Sequence, residues 1–265
     1  MLSNLHTHTT FSDGKSTPQE MVEAALDAGL VSIGFSDHAY TPYDLRYCMT
    51  DTLGYLAEVA RLKELYRGQM EIYLGVEEDS RAPVERDRFD YIFGSCHYAG
   101  VGASLRPIDS SYEYFKACLA QFDTPYALAE AYYLHFCGYI RSRRPDVIGH
   151  FDLPTKFDES EEMRYLSDSA YLSLADRALD EALRAECIFE VNTGLIARGY
   201  RTSPCPSDRL LHRILRNGGR VTLSSDAHEA KNLIAHFSEM RARLREIGFR
   251  SIEILSGGAW RADPI

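Results

Sequence analysis

Short apolar runs of strand length alternate with longer amphipathic stretches from one end of the chain to the other. The strand-like runs cover residues 3–7, 31–38, 70–77, 89–97, 146–152, 187–192, 220–228 and 250–255. Helical spacing fills most of the intervals, over residues 17–28, 51–67, 111–143, 168–185, 207–217 and 230–247. The first helix has a complete start signal, because Thr17, Pro18 and Glu20 supply an N-cap, a first-turn proline and a capping-box carboxylate, and Gly29 supplies its stop.

Regular alternation of strand and helix, without a linker, predicts an α/β fold with a parallel sheet. Polar residues follow nearly every predicted strand, at the ends where barrel enzymes place their chemistry. An open doubly wound sheet would gather such residues near one switch point instead. We therefore expect a single closed barrel of about seven βα repeats, which forms one domain over residues 1–265.

Composition narrows the class of protein. Hydrophobic residues make up 45% of the chain and charged residues 26%, which is typical of a globular enzyme. The net charge of −10 argues against long nucleic acid as a partner, although a local cationic pocket is compatible with it. The first residues lack a leader pattern and no apolar run reaches about 18 residues, so we expect a soluble, cytoplasmic protein without a membrane partner. The six cysteines form no CxxC pair, and we expect buried, reduced thiols.

Histidines and acids concentrate at the predicted strand ends. Six of the nine histidines lie there, which is costly for a barrel mouth unless positive charge compensates them. In the His6-Thr7-His8 segment the two imidazoles share one face of a strand, although this motif alone is weak evidence. Imidazole and carboxylate together suit Zn, Fe and Mn, so the pattern indicates a site for several divalent ions. His135, His212 and His236 lie on predicted helices, where packing or surface roles are expected.

Six segments in order resemble the motifs of the PHP (polymerase and histidinol phosphatase) family: HTHTTFSDG at 6–14, SDH at 36–38, GVE at 75–77, GSCHY at 94–98, IGHFDLP at 148–154 and SSDAH at 224–228. The GSCHY, IGHFDLPTKF and EVNTG segments are most similar to the histidinol-phosphate phosphatases of that family. The resemblance implies a distorted (β/α)7 barrel with three divalent metal ions, and hydrolysis of L-histidinol phosphate, a step of histidine biosynthesis, by metal-activated hydroxide.

Carried over residue by residue, the resemblance implies three groups of ligands. His6, His8, Glu77 and Asp226 would hold the first ion, His97 and His150 would share Glu77 around the second, and the third would lie among Asp13, His38 and His228. Asp13 is the least secure of these, because some phosphatases of the family have histidine there. Glu77, Asp226 and His228 are the expected catalytic residues. Strand alternation allows only one of Glu77 and Glu78 to face the mouth, and the GVE match favours Glu77.

Four further polar residues are candidates for substrate binding: Lys156, Asn192, Arg198 and Arg201. The three cations could hold phosphate, and Asn192 could donate to substrate, although loop roles are equally compatible with the sequence. Asp37 either orients an imidazole or caps the following loop.

The alternatives at this point are a PHP-type phosphoesterase acting on nucleotides or nucleic-acid ends, an amidohydrolase, and a noncatalytic metal-binding module that would be expected to lack ligands. A serine hydrolase fits poorly, because no GxSxG segment is present. Metal identity and oligomeric state stay open.

Overall fold

The computed structural model describes residues 1–100, 105–161 and 163–265. Its strands are, in chain order, β1 (Ser3–Asn4), β2 (Ser32–Phe35), β3 (Glu71–Asp79), β4 (Tyr91–Ser95), β5 (Tyr98–Ala99), β6 (Arg106–Pro107), β7 (Val147–Ile148), β8 (Ile188–Asn192), β9 (Arg220–Ser224), β10 (Ser251–Ser256) and β11 (Ala259–Pro264). Seven of them form one parallel sheet in the order β1-β2-β3-β4-β7-β8-β9.

The two outer strands of this order meet just beyond their ends. The amide of His8 donates to the carbonyl of Ala227 at 2.8 Å, and the amide of Ala227 donates to the carbonyl of His6 at 3.3 Å. Parallel pairing between Thr7 and Ala227 continues this contact. The sheet is therefore a nearly closed, distorted (β/α)7 barrel, and the fold predicted from the sequence is confirmed.

The described helices are α1 (Pro18–Asp27), α2 (Thr52–Leu65), α3 (Tyr112–Leu119), α4 (Pro125–Arg143), α5 (Ser169–Leu183), α6 (Gly194–Ala197), α7 (Asp208–Arg216) and α8 (Phe237–Ile247). The predicted capping box of α1 is present, since Thr17 and Glu20 exchange side-chain and backbone hydrogen bonds. All six cysteines are buried and free, as the sequence predicts. None of the helices in the described ranges combines the length and apolar content of a membrane span.

Two predicted helices are shorter than expected. The stretch 111–143 is divided into α3 and α4, because Thr124 accepts a hydrogen bond from the amide of Ala127 and Pro125 starts a new first turn. The helix expected over 230–247 begins only at Phe237, since His236 before it has a φ of 61°, in the left-handed region. The strand expected over 146–152 is reduced to β7, after which the chain turns into the site.

The lower barrel interior is apolar. Leu5, Tyr73, Tyr91, Phe93, Val147, Ile188 and Leu255 form this cluster, with Trp260 packed against it. The hydroxyl of Tyr91 donates to the carbonyls of Leu5 at 2.6 Å and Phe35 at 3.0 Å, so a polar atom in the interior is satisfied. Its ring occupies the space that Gly34 and Gly75 leave open, because a Cβ on Gly75 would lie 2.1 Å from the ring.

The last predicted strand has a partner that the sequence analysis did not include. β10 pairs antiparallel with β11, and this hairpin supplies Leu255 and Trp260 to the apolar interior. The hairpin therefore covers the barrel end opposite the carboxyl ends of the parallel strands. Because the end of the chain packs into the interior that the first strand helps to build, we propose that residues 1–265 form one domain.

Replacement of Gly75 by Ala tests the packing of Tyr91. The added methyl overlaps the ring, so we expect the free energy of unfolding to fall by about 1–3 kcal/mol. Gly138→Ala is the matched control, since Gly138 lies inside α4 with open space around it, and there we expect a gain of about 0.5–1 kcal/mol. Urea denaturation measures both; equal stability of the two variants would contradict this packing.

Candidate metal centre

Backbone pairing at the barrel mouth fixes the first two imidazoles. His6 and His8 follow β1 on either side of Thr7. The amide of Thr7 donates to Ser36 Oγ at 3.1 Å, which fixes the backbone between the two histidines. The pairing with Ala227 holds the same segment from the other side. Both side chains are fully buried, with 0% exposure. The His6 and His8 rings thus enter the mouth together, as strand alternation predicts.

Glu77 lies at the centre of this mouth. It is 1% exposed, and β3 carries it between His38, which follows β2, and Phe93 of β4. Its two carboxylate oxygens lie 2.8–3.6 Å from nitrogen atoms of five imidazoles. These belong to His6, His8, His38, His97 and His150. One carboxylate therefore connects five histidines from four different parts of the chain.

The first predicted ligand group is brought together. Asp226 Oδ1 lies 3.1 Å from His8 Nε2 and 3.7 Å from His6 Nε2. Glu77 Oε2 lies 3.5 Å from the same nitrogen of His6. Asp226 has a φ of 49°, a left-handed conformation that Asp tolerates better than most residues. Arg198 stabilises it there by donating to the Asp226 carbonyl at 3.0 Å and to Oδ2 at 2.9 Å, which leaves Oδ1 facing the imidazoles.

The other two groups are also assembled. Around the second oxygen of Glu77, His150 Nε2 lies at 2.9 Å and His97 Nε2 at 3.3 Å. Asp13 Oδ1 lies 3.3 Å from His228 Nε2 and 3.7 Å from His38 Nε2. Two ligand atoms that each lie about 2.1 Å from a tetrahedral ion are about 3.4 Å apart. The spacings in these two groups are close to that distance, so each group could hold an ion.

Unsatisfied polar atoms provide an independent test of the fit to metal ions. Five buried atoms of the centre form no hydrogen bond of normal geometry with any described residue: His6 Nε2, His8 Nδ1, His8 Nε2, Glu77 Oε2 and His150 Nδ1. A buried polar atom without a partner costs about 1–3 kcal/mol, so such a concentration is unfavourable unless something else binds there. Divalent cations coordinated by imidazole and carboxylate would satisfy most of these atoms, and the residues therefore fit the metals that the sequence indicates.

Two carboxylates behind the ligands were not identified from the sequence. Glu190, in the middle of β8, is fully buried and lies 2.5 Å from His6 Nδ1, which leaves Nε2 of that ring for the centre. Glu190 also accepts from the amide of His150 at 2.6 Å. Asp79 accepts from the amide of His97 at 3.1 Å and lies 3.2 Å from His97 Nδ1. Such partners fix the orientation and basicity of metal-binding imidazoles.

The electrostatics of the centre follow from burial and from mutual contact. Burial, reinforced by the neighbouring His38 and His228, lowers the pKa of His8 to about 3. Burial acts to raise the pKa of Glu77, but the surrounding imidazoles outweigh it and hold that pKa well below its ordinary value. His8 thus offers a neutral imidazole beside an ionised carboxylate, as metal binding requires. Burial also acts to lower the pKa values of His6, His38 and His97, but the neighbouring carboxylates outweigh it and raise them.

Two open alternatives from the sequence are resolved. Glu78 points away from the mouth, where Arg143 donates to it at 2.7 and 2.8 Å and Tyr139 at 2.6 Å. Asp37 does not orient the His38 ring; it accepts from the Thr9 amide at 2.7 Å and from Ser12 Oγ at 2.6 Å. Asp37 therefore fixes the preceding loop, which carries Asp13, rather than the loop that follows it.

A cavity of about 460 Å³ opens above the centre, within the size range of small-molecule sites. Its floor includes Glu77, His97, His150, Asp226 and His228, together with Asp13 and His38. Three of the four predicted substrate-binding residues, Lys156, Asn192 and Arg198, also line it. Asn192 donates weakly to Asp226 Oδ2 at 3.3 Å, and its own oxygen accepts from the Gly194 amide at 2.7 Å.

Arg201 is placed differently. Arg201 is not one of the described residues that line the cavity. It is 3% exposed, donates to Thr155 Oγ1 at 2.6 Å and lies 3.7 Å from Asp152. These contacts hold two loops together, and a role of Arg201 in substrate binding stays a prediction.

Comparison with known proteins agrees with this geometry. A family model described as PHP domain matches residues 4–194. A "Probable histidinol-phosphatase" of Deinococcus radiodurans is 29% identical over 267 residues, which cover 95% of each chain. The structure of hisK from Listeria monocytogenes superposes with a TM-score of 0.79 at 19% identity, over 90% of this chain and 99% of that one. Histidinol phosphate phosphatase from Lactococcus lactis, complexed with Zn, L-histidinol and phosphate, has a TM-score of 0.68 at 21% identity, over 98% of both chains.

Replacement of Glu190 by Gln tests the role of the carboxylate behind His6. Loss of its charge weakens the orientation of the ring, so we expect affinity for Zn²⁺ to fall about 10- to 100-fold. Glu78→Gln is the matched control, because Glu78 is an equally buried carboxylate that contacts no residue of the centre. Competition with a metal chelator measures both affinities. An unchanged affinity in Glu190→Gln, or an equal loss in the control, would contradict the assignment.

Proposed function

The chain belongs to the PHP domain family, and on this premise we propose that it is a metal-dependent phosphomonoesterase that hydrolyses L-histidinol phosphate to L-histidinol and phosphate. One observation carries the proposal: a cavity has clustered imidazoles and carboxylates on its floor and the cations of Lys156 and Arg198 on its wall. A phosphate monoester has a doubly charged head and a neutral or cationic remainder, which suits such a cavity. The relatives named histidinol-phosphatase support the substrate.

We further propose three divalent ions, of Zn, Fe or Mn, held in the three groups described above. The nine ligands would be His6, His8, Asp13, His38, Glu77, His97, His150, Asp226 and His228. When bound, such ions supply an activated water at neutral pH and neutralise phosphate oxygens. Zinc in the Lactococcus lactis structure supports this choice of metal for one member of the group.

The protein's own residues would position the ester. Glu77, Asp226 and His228 line the cavity, where they would hold the ions and lie beside the reacting phosphate. Lys156 is 8% exposed, and its ammonium lies 4.5 Å from the centre of the Tyr200 ring, so it is held against the cavity wall. Burial lowers the pKa of Lys156. A desolvated ammonium of this kind binds a phosphate oxygen more strongly than a surface lysine does, because less water competes.

The cytoplasmic location predicted from the sequence stays a prediction.

Phosphate release from L-histidinol phosphate, beside sugar phosphates and nucleotides, tests the proposed function. We expect kcat/KM for L-histidinol phosphate to exceed that for the other esters by at least about 100-fold, since a shaped pocket discriminates by several contacts. Removal of metal with a chelator should abolish turnover, and Zn²⁺, Mn²⁺ or Fe²⁺ should restore it. Equal rates on all esters would reject the named substrate and keep the hydrolase class.

Replacement of His150 by Ala tests the centre itself. Loss of one ligand should lower kcat/KM by more than about 100-fold and reduce the metal content. His135→Ala is the control, because His135 lies on α4 and contacts Ser80 rather than the centre. Metal content by mass spectrometry and turnover are measured on the same samples. Full turnover in His150→Ala would reject its role as a ligand.

Lys156 and Arg198 can be separated by their effects on metal. Lys156→Met should lower kcat/KM about 10- to 100-fold and keep the metal content, since the ammonium contacts none of the ligands. Arg198→Met should lower both, because Arg198 fixes the backbone and side chain of Asp226. If Lys156→Met lost metal, or if Arg198→Met kept it, these two roles would be wrong.

A further inference from the structure

Asp109 supplies a negative charge to the wall of the cavity. The residue lines the cavity two positions after β6, and the amide of its neighbour Ile108 donates to the carbonyl of His97 at 2.9 Å. Because His97 belongs to the metal centre, this hydrogen bond fixes the position of Asp109 relative to the cavity floor. Lys156 donates to the Asp109 backbone carbonyl, so the same residue is also tied to the proposed phosphate site.

The carboxylate of Asp109 has no partner within the described ranges. No hydrogen bond or ion pair among residues 1–100, 105–161 and 163–265 uses it. Asp44, the other carboxylate on the upper wall, is different, since Arg46 donates to it at 2.8 Å and 2.5 Å. Lys156 and Arg198 interact with the charge of Asp109 at longer range, but neither forms an ion pair with its carboxylate. A cavity that is built to bind a phosphate dianion would be expected to avoid a carboxylate without an ion-pair partner, because like charges repel. Asp109 therefore indicates that something positive enters the cavity with the phosphate.

The surroundings of Asp109 suit a cation that is attached to a small organic group. Tyr47 and Tyr98 line the same cavity, and their hydroxyls lie 2.9 Å apart in a hydrogen bond that Tyr98 donates. The Tyr47 ring lies edge-on to His38, with 4.7 Å between ring centres, so the aromatic surface reaches to the floor. Aromatic faces beside a carboxylate are a favourable environment for an ammonium or imidazolium group.

We propose that Asp109 is the residue that determines substrate specificity, by binding the positively charged amino group of an amino-alcohol phosphate whose phosphate lies over the metal centre and Lys156. The inference rests on the proposed function and adds to it a class of substrate: phosphate monoesters that carry a cation. L-histidinol phosphate belongs to this class, because its amino group is protonated at neutral pH.

The test compares Asp109→Asn with the wild-type holoenzyme on two esters. One is L-histidinol phosphate and the other is p-nitrophenyl phosphate, whose organic group carries no positive charge. Loss of a charge-assisted hydrogen bond should lower kcat/KM for L-histidinol phosphate about 10- to 100-fold and leave kcat/KM for p-nitrophenyl phosphate within about twofold. Binding of the product L-histidinol, measured by calorimetry, should weaken by a similar factor, whereas inhibition by inorganic phosphate should not weaken.

Asp44→Asn is the matched control, because the charge of Asp44 is already neutralised by Arg46, and it should keep the wild-type ratio of the two kcat/KM values. Metal content and thermal melting of each variant show whether the centre and the fold are intact. Equal losses on both esters, or unchanged L-histidinol binding in Asp109→Asn, would overturn the inference. If the wild-type enzyme failed to hydrolyse L-histidinol phosphate, the proposed function itself would fail, and that result is distinct from either outcome.

Discussion

The structure depends on the electrostatic compensation of one buried carboxylate and the imidazoles around it. Glu77 lies within 3.6 Å of nitrogen atoms from five histidines, and two of these atoms, His6 Nε2 and His8 Nε2, form no hydrogen bond with any described residue. Burying such a group is unfavourable in a protein interior unless opposite charge neutralises it. Bound cations would meet that requirement at the same place where the reaction needs them. We therefore expect the barrel mouth to be more stable with metal bound than without it.

The barrel separates this polar centre from the apolar interior that stabilises the fold. Below the centre, Tyr91 and Phe93 fill the barrel, and the β10–β11 hairpin covers the far end. Phe93 also contacts the His6 ring, with 4.6 Å between ring centres. The apolar layer thus supports the ligands from below, and the carboxylates of Glu190 and Asp79 orient them from the side. Ligands held in this way need little reorganisation when an ion or substrate binds.

Much of this arrangement could be predicted from the sequence, because parallel strands place their carboxyl ends at one face. Residues as distant as His8 and Asp226 were expected to meet on this ground and lie 3.1 Å apart. Glu190 was missed, since it occupies the middle of a strand rather than its end. Its position was nevertheless visible as a charged residue on the same face as Asn192 in an otherwise apolar run.

Other features depend on tertiary contacts that local patterns do not encode. The turn at Asp226 has a backbone conformation that Arg198 helps to stabilise from another loop, and no local signal indicates that pair. The same applies to Asp37, which anchors Thr9 and Ser12 across the mouth instead of orienting His38. Spacing predicts which face a side chain occupies, whereas the choice among several partners on that face is decided by packing.

Anomalous X-ray diffraction from crystals of the metal-loaded protein, recorded at the absorption edge of the bound metal, tests the central claim most directly. The account predicts separate peaks between the imidazole and carboxylate atoms that surround Glu77, Asp226 and Asp13. A well-ordered, metal-loaded crystal whose anomalous peaks lie only elsewhere on the protein would contradict it.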